Sequence, residues 1–62
     1  MWIKTKNGYL VNSDHLDLIF YDSDADYTKG MAGEEYYKIA DGNAIPQIIT
    51  ALRRGDHYMG VQ

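Results

Sequence analysis

Apolar and polar residues alternate at the start of the chain. Trp2-Ile3-Lys4-Thr5-Lys6 and Tyr9-Leu10-Val11-Asn12 are two extended runs on either side of Asn7-Gly8. Asn-Gly between two such runs predicts a β-hairpin, because a two-residue type I′ turn needs positive φ at both central residues. That turn sets Lys6 opposite Tyr9, Thr5 opposite Leu10, Lys4 opposite Val11 and Ile3 opposite Asn12. Directly opposed residues share a face. One face then carries Ile3, Thr5 and Leu10. The other carries Trp2, Val11 and Tyr9 beside two lysine stems, and is a candidate contact surface.

Ser13-Asp14-His15 has turn composition. Leu16 to Asp22 predicts a third strand, with Leu16, Leu18 and Phe20 facing the core. Ser23 to Gly33 reads as one long loop with acids and two glycines. Glu35 to Ala40 predicts a fourth strand, closed by Asp41-Gly42. Asn43 is the expected N-cap of a helix, and Pro46 falls in its first turn, where a missing N–H costs nothing. Ile45, Ile48, Ile49 and Leu52 lie at i, i+3, i+4 and i+7, one apolar stripe. Arg53 and Arg54 suit the negative end of the helix and Gly55 its stop. The tail, Asp56 to Gln62, is expected to fray or to add an edge strand through Tyr58, Met59 and Val61. The fold class expected is α+β: a small antiparallel β-sheet in the order β-β-β-β-α, with one C-terminal helix packed on it.

The chain has 62 residues, which makes residues 1–62 a single small domain. Such a chain buries only about 60% of its unfolded surface, and small domains commonly compensate with a staple or by self-association. There is no cysteine, which excludes disulfides and thiolate metal sites, so a homo-oligomer is the expected compensation. The net charge is −3, and the six cations are dispersed. Nucleic-acid binding is therefore not expected; an acidic surface suits a cationic partner. No apolar run approaches the ~20 residues of a membrane span and no signal-peptide core is visible, so no membrane partner is expected and the expected location is cytoplasmic.

Trp2-Ile3, Thr5-x-x-Gly8 and Leu10-Val11-Asn12 together resemble the opening of a group of small uncharacterised proteins of Gram-positive bacteria and their phages. The resemblance covers the first third of the chain and the order of elements. It implies a phage or mobile-element origin, and with it the host cell cytoplasm, rather than a reaction. The order of elements also resembles small flagellar-regulator-like proteins, in topology alone.

The candidate chemistry is sparse. Asp22-x-Asp24-x-Asp26 has the spacing that opens a calcium-binding loop, since alternate carboxylates can converge on a hard cation. Tyr27 stands where that loop needs glycine and Gly33 where it needs a bidentate glutamate, with Glu34 one place late. A solvated acidic loop is the plainer reading, and no metal or other cofactor is expected. His15 and His57 are the only histidines, too few for a hydrolytic zinc site. Ser13, His15 and Asp17 lie in one turn with no evident oxyanion hole. Gly30 and Gly33 beside Lys29 could bring backbone N–H groups to an anion, but without a following helix. Arg53 and Arg54 could clamp a phosphate, or simply complement the helix end.

Six tyrosines, one tryptophan and one phenylalanine are many for this length. Tyr and Trp supply rigid contact area and are enriched at interface hot spots; they are also good strand formers. The reading is thus a non-enzymatic binding protein acting as a homo-oligomer on a host protein or on a small nucleotide-like ligand; with the phage origin that the resemblance implies, it would be a phage-encoded anti-defence protein. The expected binding residues are Trp2, Tyr9, Tyr27, Lys29, Met31, Arg53 and Arg54. The alternative is a dimerising structural or regulatory accessory module.

Overall fold

The structure is a computed structural model and describes residues 1–61. It has the α+β class expected, with six strands in two small sheets and one helix. The strands are β1 (Trp2–Lys4), β2 (Leu10–Asn12), β3 (Leu18–Asp22), β4 (Tyr27–Ala32), β5 (Glu35–Asp41) and β6 (Tyr58–Gly60). The helix α1 (Ile45–Arg54) lies between β5 and β6. The first sheet has the order β2-β1-β6 and the second β3-β4-β5.

The first hairpin forms one register away from expectation. Ile3 pairs with Val11 and Lys4 with Leu10. The Thr5 N–H donates to the Tyr9 carbonyl at 2.7 Å, and the Gly8 N–H to the Thr5 carbonyl at 3.0 Å. Lys6, Asn7 and Gly8 therefore form a three-residue loop. Within that loop only Gly8 has positive φ, +87°, as in a type I turn closed by a left-handed residue. The Thr5 hydroxyl adds an acceptor for the Tyr9 N–H at 3.0 Å. A shift of one residue moves every partner to the other face. Val11 joins Ile3 in the core, while Leu10 goes outward with Trp2 and Lys4.

The expected long loop is mostly strand. Tyr27–Ala32 forms β4, the centre of the second sheet. The connection before it shrinks to Ser23–Asp26, closed by Asp26 at φ +55°. Gly30 is buried in β4 because a Cβ there would stand 2.9 Å from Leu16 Cδ1 and 3.2 Å from Ile39 Cδ1. That glycine makes room for packing; it is not a loop signal. In β3 the inward residue is Ile19, whereas Leu18 is half exposed. The core-facing set Leu16, Leu18 and Phe20 therefore holds for Leu16 alone.

The helix ends as expected, with Gly55 at φ +73°. Its start lies one residue later than expected. Ala44 occupies the cap position, and the Asn43 carboxamide accepts the Ile45 N–H at 3.0 Å. Thr28 of β4 supplies a second tie: its fully buried hydroxyl accepts the Ala44 N–H and donates to the Gly42 carbonyl, both at 2.8 Å. The buried helical face is Ala44, Ile48 and Ala51, leaving Ile49 and Leu52 of the predicted stripe half exposed. The tail forms the parallel edge strand β6 beside β1; Gln62 lies outside the described residues.

Ile3, Ile39, Ala40, Ala44 and Ile48 are the buried centre, flanked by Met1, Val11, Leu16, Ile19, Met59 and Val61. Both sheets and the helix contribute, and the Lys6 N–H joins the sheets through the Ile39 carbonyl at 2.9 Å. The outward faces of both sheets are left to solvent. No helix among the described residues is long and apolar enough to cross a membrane.

Candidate functional site

Strand alternation and register place Leu18, Phe20 and Asp22 of β3, Tyr27, Lys29 and Met31 of β4, and Tyr36, Lys38 and Asp41 of β5 on the outward face of the second sheet. A bulge beside Thr28/Lys29 leaves Ile39 as the extra residue and turns it to the core. Lys29, on the central strand, stands at the middle of this face. Its Nζ is 2.9 Å from Asp22 Oδ2. It also lies 5.0 Å from the Tyr27 ring centroid, 5.6 Å from that of Tyr36 and 6.0 Å from that of Phe20. Lys38 Nζ covers Tyr27 at 4.9 Å. Ring quadrupoles attract such cations, so the lysines fix the rings as much as the rings hold the lysines.

Charge pairing on this face is local. The Asp22 carboxyl is held below the ordinary carboxylate range, first by its bond with Lys29 and then by the Ala25 N–H. The same bond raises the Lys29 ammonium. Asp41 is shared by Lys6 and Lys38. Each lysine thus has an acidic partner, although Asp41 carries one charge for two lysines, and the exposed surface offers ring faces and lysine stems with little net charge.

The aromatic surface continues around the β5 edge. A cleft of about 440 Å³ opens between the β1–β2 hairpin and β5, with Tyr9, Tyr36, Tyr37 and Lys38 among its walls and Leu10 and Val11 beside them. The Tyr37 hydroxyl donates to Glu35 Oε2 at 2.7 Å, and this bond raises its pKa. Tyr36, 61% exposed, belongs to both the cleft and the Lys29 face. Tyr9, Tyr36, Tyr27 and Phe20 therefore lie along one continuous aromatic surface.

Of the residues expected to bind, the fold brings Tyr9, Tyr27, Lys29 and Met31 to this surface. Trp2 lies on the outward face of the first sheet, with Leu10 and Tyr58; Val11 and Tyr9 do not share that face with it. Arg54 is turned to Asp56, 2.7 Å from its carboxylate, and Arg53 is exposed on the helix. Phe20, Tyr36 and Lys38 were not expected in the site. The signal for them was the alternation Tyr27/Lys29/Met31, which marks a strand and so a neighbour on each side.

The remaining chemical candidates are structural. Asp22 Oδ1 accepts the Asp24 and Ala25 N–H groups, and the Tyr21 hydroxyl donates to Asp26. The Asp22 and Asp26 carboxylates thus serve the turn, and no cluster of three His, Cys, Asp or Glu side chains suited to a metal forms among the described residues. The Gly33 N–H, read as a possible anion donor, is taken by Asp17 Oδ2 at 2.9 Å. Ser13 Oγ is buried without a hydrogen-bond partner among the described residues, so Ser13, His15 and Asp17 form no proton relay.

No known protein family, no curated protein and no solved structure matches the chain.

Proposed function

We propose that this chain is a small non-enzymatic binding protein that takes a nucleotide-like ligand on its aromatic surface. The observation that carries the reading is the cleft between Tyr9, Tyr36 and Tyr37, rimmed by Lys38 and continuous with the rings around Lys29. Tyrosine faces stack on planar bases with little loss of side-chain freedom. Lys38 at the rim can exchange Asp41 for a phosphate oxygen, because an exposed ion pair is weak. The residues assigned to the contact are Tyr9, Tyr27, Tyr36, Tyr37 and Lys38, with Lys29 and Met31 as neighbours. In the cytoplasm of a bacterial host, such a protein would act by sequestering its ligand, the mode of a phage anti-defence protein.

The test is calorimetric titration of a panel of mono-, di- and cyclic nucleotides into the wild type and Tyr36→Ala. Binding of at least one by the wild type, weakened about tenfold or more in the variant, fits the loss of one stacking face. Absence of binding across the panel, or equal binding by both proteins, overturns the assignment.

A second reading rests on a different face. Trp2, Leu10 and Tyr58 are each at least half exposed on the first sheet, a patch that suits a dimerising accessory module. Light scattering on the wild type and Trp2→Lys, a change on that face outside the cleft, separates the two. A dimer lost in Trp2→Lys, with no ligand bound, favours assembly as the function.

A further inference from the structure

The groove between α1 and the free edge of β6 lies apart from the aromatic surface. We propose that it binds an extended peptide segment, which adds as a strand to β6. The hydrogen-bond pattern carries this. In the parallel β1–β6 pair, the Trp2 N–H donates to the His57 carbonyl at 2.8 Å and the Val61 N–H to the Lys4 carbonyl at 3.1 Å. With Trp2 opposite Tyr58 and Lys4 opposite Gly60, residues 57, 59 and 61 turn their backbone groups to β1. Tyr58 and Gly60 turn theirs away, each offering one N–H and one carbonyl to the open side. Among the described residues no other strand pairs with β6.

That open side is concave. A groove of about 780 Å³ is bounded by Tyr58, Met59 and Gly60 on one wall and by Gln47, Thr50 and Arg54 of the helix on another. Ala44 and Ala51 also line it, and their small side chains leave room for one inward side chain of an added strand. A bare sheet edge would equally suit a second copy of the chain. An edge recessed beside a helix selects a thin extended segment, which is the geometry of peptide recognition by strand addition. Arg54 and Asp56, both in the groove wall, neutralise each other at 2.7 Å, and Asp41, the other charged residue of the wall, is paired with Lys6 and Lys38. The fitting segment is therefore uncharged, with polar and apolar residues alternating.

Gly60 gives the test. Its N–H faces the groove and not β1, and a Cβ there meets only the Tyr58 hydroxyl, at 3.6 Å. Proline is tolerated on an edge strand where its missing N–H faces solvent. Gly60→Pro thus removes one donor from the groove and leaves the β1 ladder whole, while Gly60→Ala keeps the donor. Short random peptides are displayed and selected on the wild-type chain, and one enriched peptide is synthesised. Expected are binding by the wild type and Gly60→Ala, affinity at least about tenfold lower for Gly60→Pro, and new hydrogen-exchange protection at the Tyr58 and Gly60 amides. If Gly60→Pro does not fold, the amide protection in the wild type decides alone. Failure to enrich any peptide, equal binding by Gly60→Pro, or a bound peptide that leaves both amides unprotected overturns the proposal. So does protection of these amides without peptide that fades on dilution, which would place a second copy on the edge.

Discussion

At Gly30 the space for a methyl group is already taken by Leu16 and Ile39. Ile39 is fully buried and cannot withdraw, whereas the Leu16 side chain is half buried and can swing aside. Gly30→Ala is expected to destabilise by about 1 kcal/mol, the cost of overpacking offset by a stiffer unfolded chain. Chemical denaturation measures it, and a stability equal to wild type would mean that Leu16 is not packed against the strand. Thr28 works through its hydroxyl. Thr28→Val keeps the shape but leaves the Ala44 N–H and the Gly42 carbonyl without their partner, which is expected to cost about 2 kcal/mol. Ser13→Ala should do the reverse and be neutral or slightly stabilising, because its buried hydroxyl makes no bond among the described residues.

At the scale of elements, pH separates the Lys29 face from the rest. Asp22 is lowered in the fold, so its contribution is complete above the ordinary carboxylate range and is lost as pH falls through its folded value. Lys29 is raised, so its contribution is complete below the ordinary lysine range and is lost as pH rises through its folded value. The clamp between β3 and β4 therefore acts from about pH 4 to about pH 10. Asp22→Asn keeps an acceptor for the turn and removes the charge. Its melting temperature should fall less than that of the wild type between neutral pH and about pH 3. Parallel curves would show that the pair does not stabilise the hairpin.

Elements differ in how far local sequence reveals them. The helix was legible because Pro46 and Gly55 are short-range signals, and it runs to Arg54 as expected. Its cap was displaced because Thr28, sixteen residues upstream, ties down the Ala44 N–H. The first hairpin was legible as a hairpin but not in register. Asn-Gly fits both a two-residue loop and a three-residue loop, and the choice rests on whether Val11 or Leu10 joins Ile3 in the core. β4 was hidden by Gly30, whose reason is a contact with Leu16 ahead of β3 and Ile39 of β5. The site followed the same rule. Tyr27, Lys29 and Met31 were visible as residues, but Phe20, Tyr36 and Lys38 become their neighbours only through the pairing of β3 and β5.

At the scale of the whole molecule, two small sheets and a helix enclose a core of few large side chains. The aromatic excess is therefore spent largely outside it, with Trp2, Tyr9, Tyr36 and Tyr58 all at least half exposed. The strip from Tyr9 through Tyr36 to Lys29 is proposed as a ligand surface. Native mass spectrometry of the wild type and Tyr36→Ala, each purified from a bacterial lysate, tests it most directly. The expected result is a nucleotide-sized extra mass on the wild type that Tyr36→Ala lacks. Bare chain in both samples, or the same extra mass on both, would contradict it.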